Sequence, residues 1–301
     1  MQKTLISIIG STGIGKTKLA IEMAKHFGTE IISCDSRQFF KEMKIGTATP
    51  TDEELAQAKH HFIGHLSVQD YYSIGQYEED ALEKIEEIFE KNDFAVLVGG
   101  SMMYEKAVVE GLNDLPEANA ENQEKLQKIL DEEGLEKLQE ILKNLDEEYY
   151  NVVHKENPRR LLRAIDVIWQ TGRKYSEIIA EPKHKRDFKV IRIGITAPRE
   201  IMYERINLRV DKMLEKGLID EVKSLTEYQN LVPLQTVGYT EIFKYLEGTW
   251  DLDFAVEEIK KNSRRYAKRQ ETWNRKVENV TWLPYDYSEE QLHEILSKIE
   301  K

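Results

Sequence analysis

Residues 10–17 read GSTGIGKT and fit G-x-x-x-x-G-K-[ST], the pattern of a loop that cradles phosphate. The setting of this loop constrains the fold. The preceding TLISIIG is apolar and β-branched, which predicts a buried strand over 4–10. The following KLAIEMAKHF carries Leu19, Ile21, Met23, Ala24 and Phe27 at helical spacing, which predicts a helix over 16–27. Strand, glycine loop and helix in that order let backbone N–H groups curl around an anion, and the helix N-terminus adds partial positive charge. On this reading Gly10, Ser11, Thr12, Gly13, Ile14, Gly15, Lys16 and Thr17 hold phosphate. Lys16 reaches terminal phosphate oxygens and Thr17 ligates Mg²⁺. The motif leaves open whether the phosphate belongs to a nucleotide that is cleaved or to another molecule.

The rest of the first hundred residues alternates in the same way. Strands are predicted over 30–34, 61–66 and 94–100, and helices over 51–59 and 75–91. Such alternation argues an α/β fold, a mainly parallel P-loop-type sheet flanked by helices. FAVLVGGS (94–101) puts Gly99, Gly100 and Ser101 at a strand's carboxyl end, where ligands of open α/β sheets bind. Residues 113–186 are charged, helical in pattern and poor in strand signals. ENQEKLQKILDEEGLEKLQEILKNL reads as two amphipathic helices around Gly134, and NPRRLLRAIDVIWQTG as a helix with Pro158 near its start and Gly172 at its stop. This segment is expected to be a helical insertion domain within a core domain of 1–112 and 187–301. A strand over 189–196, helices near 198–216, 218–229, 239–246 and 254–276, a short strand VTWLPY and a helix over 288–299 complete the core.

The 301 residues carry 43 Lys and Arg against 55 Asp and Glu, a net charge of −12, which argues against indiscriminate nucleic-acid binding. The basic residues are nevertheless clustered. Arg159, Arg160 and Arg163 share one helix start, and Lys183, His184, Lys185 and Arg186 follow Pro182. Arg264, Arg265, Lys268, Arg269, Arg275 and Lys276 crowd the last long helix, where like charges at i,i+4 repel by roughly a few tenths of a kcal/mol per pair. Each cluster alone reads as a solvated face. Three of them, beside a phosphate loop and amid excess acid, point to a phosphate backbone as partner. Tyr266 and Trp273 lie among these charges; core packing is the alternative role for both and the favoured one for Trp273. Cys34 is the single cysteine, so no internal disulfide or cysteine-based zinc site is expected. His60, His61 and His65 lack the acidic spacing of a metal site. The sequence shows no signal peptide or membrane-spanning run, and a cytoplasmic protein without a membrane partner is expected.

The P-loop, SCDSRQFFKEMKIGTATP (33–50), LVGGSMMY (97–104), LQTVGYTEI (234–242) and YAKRQETW (266–273) together resemble the tRNA dimethylallyltransferase family, in order and over nearly the whole chain. The C-terminal zinc finger of some eukaryotic relatives is missing, so the bacterial form is the one resembled. The resemblance implies that the P-loop holds the diphosphate of dimethylallyl diphosphate with Mg²⁺. The prenyl group would pass to the exocyclic amine of the adenosine beside the tRNA anticodon, position thirty-seven, with no nucleotide hydrolysed. It casts Asp35 as general base; the residue by itself reads equally as a turn residue or a Mg²⁺ ligand. Lys16 and Ser101 join it as catalytic groups. The anticodon stem-loop is expected against Asp35, Ser36, Arg37, Gln38 and Ser101, against Arg159, Arg160, Leu161, Leu162 and Arg163, and against Gln235, Thr236, Val237, Gly238, Tyr239 and Thr240, with Gln123, Arg265 and Arg269 completing the surface. The insertion would clasp the stem-loop, and a monomer is expected.

Several positions depart from the family pattern. Ser11 replaces a proline, Gly13-Ile14 replaces Ala-Ser, Phe40 a frequent tyrosine, and Ser101 a threonine; Met102-Met103 stand where smaller or leucine-like residues are common. Thr240 stands where Arg or Lys is common, with Lys244 one turn on as a candidate replacement. Competing readings are an adenylate isopentenyltransferase acting on free AMP, ADP or ATP, a small-molecule P-loop kinase, and a non-catalytic RNA-binding protein. The helical insertion and basic clusters favour tRNA over a free nucleotide.

Overall fold

The computed structural model describes residues 2–300. Six strands form one sheet: β1 (Thr4–Gly10), β2 (Ile31–Ser33), β3 (His60–His61), β4 (Phe94–Val98), β5 (Lys189–Thr196) and β6 (Val280–Pro284). The order is β3-β2-β4-β1-β5-β6 and every pairing is parallel. β1 is central and all seven of its residues are buried, which is why it reads as an unbroken apolar run. Alternate side chains enter opposite layers. Leu5, Ala95, Leu97 and Ile32 join one core with the helices Ile74–Phe89 and Tyr239–Leu246. Ile6, Ile8, Val96, Val98, Ile193 and Ile195 join the other with the helices Lys16–Phe27 and Glu289–Ile299. The carboxyl ends of β1, β2 and β4 therefore meet at one edge of the sheet, where the glycine loop, Asp35 and Ser101 follow.

Several expected elements are shorter than their patterns. The strand expected over 61–66 stops at His61 because Phe62 turns to φ 62° and Gly64 to φ 58°; the chain rejoins the sheet only by a parallel bridge between Phe40 and Leu66. The helix expected over 51–59 spans only Asp52–Leu55. A Thr51–Glu54 capping box starts it, but none of its residues is buried, so no packing extends it. The expected 218–229 helix ends at Ser224 and continues as a 3₁₀ turn over Thr226–Tyr228. No described helix is long and apolar enough to cross a membrane.

The chain divides into two compact units, residues up to 109 with those from 186 onward, and Glu110–Lys185. The second unit is all-helical. Leu126, Leu138, Leu142, Leu161, Ala164 and Ile165 form its core, contributed by the helices Ala120–Glu133, Leu135–Leu145 and Pro158–Thr171. The last of these is capped by the Asn157 side chain and closed by Gly172 in the left-handed conformation.

Candidate active site

The glycine loop is built to face an anion. Gly10, Gly13 and Gly15 adopt φ of 150°, 76° and 112°, and a Cβ at Gly10 would lie 2.9 Å from the Ile195 carbonyl oxygen. Thr12 N–H is tied back to the Gln270 side-chain oxygen at 2.8 Å. Among the described residues, the N–H groups of Gly13, Ile14, Gly15, Lys16 and Thr17 have no intramolecular acceptor. Five free donors at a helix N-terminus form an anion cradle. The Lys16 ammonium folds back over the loop, donating to the carbonyls of Gly10 (3.0 Å) and Ser11 (2.9 Å). Burial lowers its pKa to about 8; Asp35 opposes that shift and the Arg209 guanidinium adds to it. Burial likewise pushes Arg209 down, against the pull of Asp35.

Asp35 follows β2 and shares a compact polar network with the end of β4. Its Oδ1 accepts the Arg37 N–H at 3.2 Å and its carbonyl accepts the Gln38 N–H at 2.9 Å, so the carboxylate caps its own turn. A Cβ at Gly100 would sit 2.9 Å from Asp35 Oδ2, and one at Gly99 would strike the Cys34–Asp35 backbone, so both glycines of the GG pair permit this approach. The Ser101 hydroxyl accepts the Ser36 N–H (3.0 Å) and pairs with the Ser36 hydroxyl (2.8 Å). Arg37 donates to the carbonyls of Val232 (3.0 Å) and Pro233 (2.8 Å), and Gln38 to those of Thr47 and Ala48 (3.2 Å each).

The long helix Leu252–Asn274 seals this network. Gln270 is fully buried and bridges Thr12 N–H to the Gly100 carbonyl, donating to the latter at 2.8 Å. The Tyr266 hydroxyl donates to the same carbonyl at 2.9 Å, and burial with Asp35 nearby pushes its pKa up to about 12. Tyr266 therefore faces the site. Arg205 donates to the Gly13 carbonyl at 2.9 Å. Gln270, Arg205 and Arg209 were not singled out from the sequence. Their signal was phase: Met202, Ile206, Val210 and Met213 mark the buried face of one helix, and Arg205 and Arg209 fall beside that stripe. Gln270 falls on the stripe of Ile259, Ala267 and Asn274.

The outer face of the long helix carries the expected basic surface. Arg265, Lys268, Arg269, Thr272, Trp273 and Lys276 line a cavity of about 390 Å³, with the Arg269 guanidinium over the Tyr266 ring and the Lys106 ammonium 5.7 Å from the Trp273 ring. Arg264 is turned away to Asn207. In the helical unit Arg159 and Arg160 are exposed and Gln123 is half-buried.

Other expected RNA contacts are placed elsewhere by the fold. Leu161 is fully buried, and Leu162 packs on the same core. Arg163 is bound to the buried Asp166 (3.3 Å) and the Pro116 carbonyl (2.5 Å), so its guanidinium is a strut. Arg186 leaves the Lys183–Lys185 cluster entirely, bonding Glu78 and the carbonyls of Ala107 and Val108. In the third stretch Gln235 is exposed and Thr236, Val237 and Thr240 are half-buried, but Gly238 and Tyr239 are buried. Thr240 bonds Glu241 (2.9 Å), and Lys244 sits over the Trp250 ring at 4.2 Å rather than replacing a missing charge at 240. The histidines have separate partners: His61 pairs with Glu30, and His65 packs among Phe39, Phe62 and Tyr72.

A donor-lined glycine loop opening a helix after a central parallel strand places the chain among P-loop α/β proteins that bind a phosphorylated ligand, here with a carboxylate beside it. The sequence model of the family described as IPP transferase matches residues 38–277, and the chain belongs to that family. A tRNA dimethylallyltransferase of Christiangramia forsetii is 49% identical over 99% of this chain and 99% of its own length. One from Bacteroides fragilis is 46% identical over 99% and 98%. Among solved structures, a tRNA isopentenylpyrophosphate transferase of Bacillus halodurans is 35% identical with a TM-score of 0.73, covering 99% of this chain and 96% of its own. A eukaryotic dimethylallyltransferase acting on tRNA is 27% identical with a TM-score of 0.85, covering 99% and 78%.

Proposed function

We propose that this protein transfers the dimethylallyl group of dimethylallyl diphosphate to the exocyclic amine of the adenosine at position thirty-seven in tRNA, releasing diphosphate. The observation that carries the reading is the cradle of five free N–H groups and Lys16 beside Asp35, one end suited to a leaving diphosphate and the other to a proton. The allylic carbon–oxygen bond breaks as the amine nitrogen bonds to the same carbon. Negative charge grows on the diphosphate, where the Gly13–Thr17 N–H groups, Lys16 and Arg209 stabilise it. The adenine amine is a weak nucleophile and must lose a proton as it attacks; the Asp35 carboxylate takes it. Ser101, fixed to Ser36, orients the reacting groups, and Arg37 and Gln38 line the entry of the base.

Mg²⁺ fits this site. Thr17 Oγ1 has no partner among the described residues, and no cluster of three or more His, Cys, Asp or Glu side chains competes for a metal there. Mg²⁺ keeps several waters and takes few protein oxygens beside the substrate's phosphates, and in a P-loop the Ser/Thr hydroxyl is one of them. When bound it would neutralise charge on the diphosphate.

The target adenosine lies in a single-stranded loop, so its base enters at modest cost. Arg159, Arg160, Arg265, Lys268 and Arg269 supply phosphate contacts, which accounts for basic islands on an acidic chain. The test is a transfer assay with labelled dimethylallyl diphosphate, Mg²⁺ and either unmodified tRNA or AMP, followed by mass analysis of the digested RNA. Prenylated adenosine from tRNA alone is expected. Label in AMP alone, or ATP consumption without prenyl transfer, would overturn the reading.

A further inference from the structure

One carboxylate outside the site holds the loop that shapes it. Glu221 Oε2 accepts the N–H groups of Lys44 (2.9 Å) and Ile45 (2.7 Å); Oε1 accepts the Gly46 N–H (2.9 Å) and the Tyr239 hydroxyl (2.6 Å). Three consecutive backbone donors converging on one anion form a nest. The Tyr239 ring closes over it so tightly that a Cβ at Gly46 would lie 2.5 Å from the ring. The next carbonyl, that of Thr47, accepts both Gln38 Nε2 (3.2 Å) and the Arg209 guanidinium (3.0 Å). Ala48, whose carbonyl also receives Gln38, is held at φ 45°, a conformation that a non-glycine residue adopts only when its surroundings impose it.

We infer that Glu221, clamped by Tyr239, is a positioning residue for prenyl transfer: it fixes the 44–47 loop so that the Thr47 carbonyl aims Arg209 at the diphosphate and Gln38 at the entering base. The inference rests on the transferase reading given above. It also gives the VGY segment a different task from RNA contact. Tyr239 is fully buried, and its phenol is spent on Glu221, whose nearby charge and the surrounding burial hold it protonated. Glu221 touches neither the phosphate loop nor Asp35; its effect passes through the backbone.

The test is Glu221→Gln, which keeps the volume but replaces one accepting oxygen with a donating NH₂ group that faces two donors. Steady-state transfer is measured at a temperature well below the melting point of the variant, alongside amide hydrogen exchange at 44–46. The expected result is a kcat lower by about 10–100-fold, the range for small misplacements of reacting groups, with KM for tRNA little changed and faster exchange confined to 44–47 while β1 stays protected. Tyr239→Phe, which leaves the three N–H bonds, is expected to lower kcat only about threefold, in line with one lost hydrogen bond. In the Glu221→Gln/Gln38→Ala double variant the losses should be less than multiplicative, because both changes act on one carbonyl. An unchanged kcat with accelerated exchange, a raised tRNA KM at constant kcat, or fully multiplicative losses would each overturn the inference. Wild-type protein in the same assay separates the two questions. If it fails to prenylate tRNA, the transferase reading falls; unaltered exchange in Glu221→Gln would refute the anchor itself.

Discussion

Gln270→Leu probes the join between the phosphate loop and the rest of the site. Gln270 is fully buried, accepts Thr12 N–H and donates to the Gly100 carbonyl, both at 2.8 Å. Leucine fills similar volume but offers no polar atom. Thr12 N–H then has no partner, and an unsatisfied donor in such a place costs about 1–3 kcal/mol. The Gly100 carbonyl keeps the Tyr266 hydroxyl at 2.9 Å, so its loss contributes little. The net destabilisation is therefore about 1–3 kcal/mol, or roughly 2–12 °C in melting temperature for a unit of this size. The catalytic effect follows from the same bond. Freed from Gln270, Thr12 swings, and the five neighbouring N–H groups lose their preorganised aim. Part of that energy reappears as weaker diphosphate stabilisation, and kcat/KM for dimethylallyl diphosphate should fall by about 10–100-fold, equivalent to about 1.4–2.7 kcal/mol. Differential scanning fluorimetry and steady-state transfer at saturating tRNA measure the two effects. Gln270→Leu with unchanged melting temperature and unchanged kcat/KM would refute the argument that this buried amide holds the cradle open.

Three further outcomes are expected. Asp35→Asn should retain tRNA binding in a filter assay while kcat drops about 10²–10⁴-fold, the usual worth of a general base; equal rates would remove that role. Lys16 titrates at about 8 in the ligand-free protein and must be protonated to hold diphosphate, so affinity for dimethylallyl diphosphate should be constant below that value and fall by about tenfold per pH unit above it, a slope that isothermal titration would detect and Lys16→Met would abolish. Arg159→Ala/Arg160→Ala should weaken tRNA binding and reduce the slope of log affinity against log salt by about one to two; an unaltered slope would place the RNA elsewhere.

The parts of the site that could be read from the sequence are those made by consecutive residues. The P-loop announces itself because glycine spacing, strand and helix lie within one short stretch. Asp35 and Ser101 follow because strand ends in a parallel sheet share an edge. The groups that complete the site come from helices far along the chain, and their polarity hid them. A buried glutamine or a half-buried arginine looks like a solvent-facing position unless its helical phase is followed, as Gln270 and Arg209 show. The reverse error affected Leu161, Arg163 and Tyr239, which lie within motifs of expected RNA contact yet serve the core, a buried carboxylate and the Glu221 nest. A motif marks residues that matter together without saying which of them reaches the ligand.

The electrostatics explain how a loop associated with nucleotide phosphates can serve a leaving group. Burial pushes both Lys16 and Arg209 away from their charged forms, and Asp35 only partly restores them. Two cations opposed by one carboxylate leave positive charge without a full counterpart, in a half-buried place where charge interactions are stronger than in open water. Dimethylallyl diphosphate supplies the missing anion, so binding is favoured. More negative charge appears on the diphosphate as the allylic bond breaks, and the same fixed cations and N–H groups meet it without reorganising. The interaction is then stronger in the transition state than in the bound substrate, which is the condition for raising kcat rather than only tightening binding.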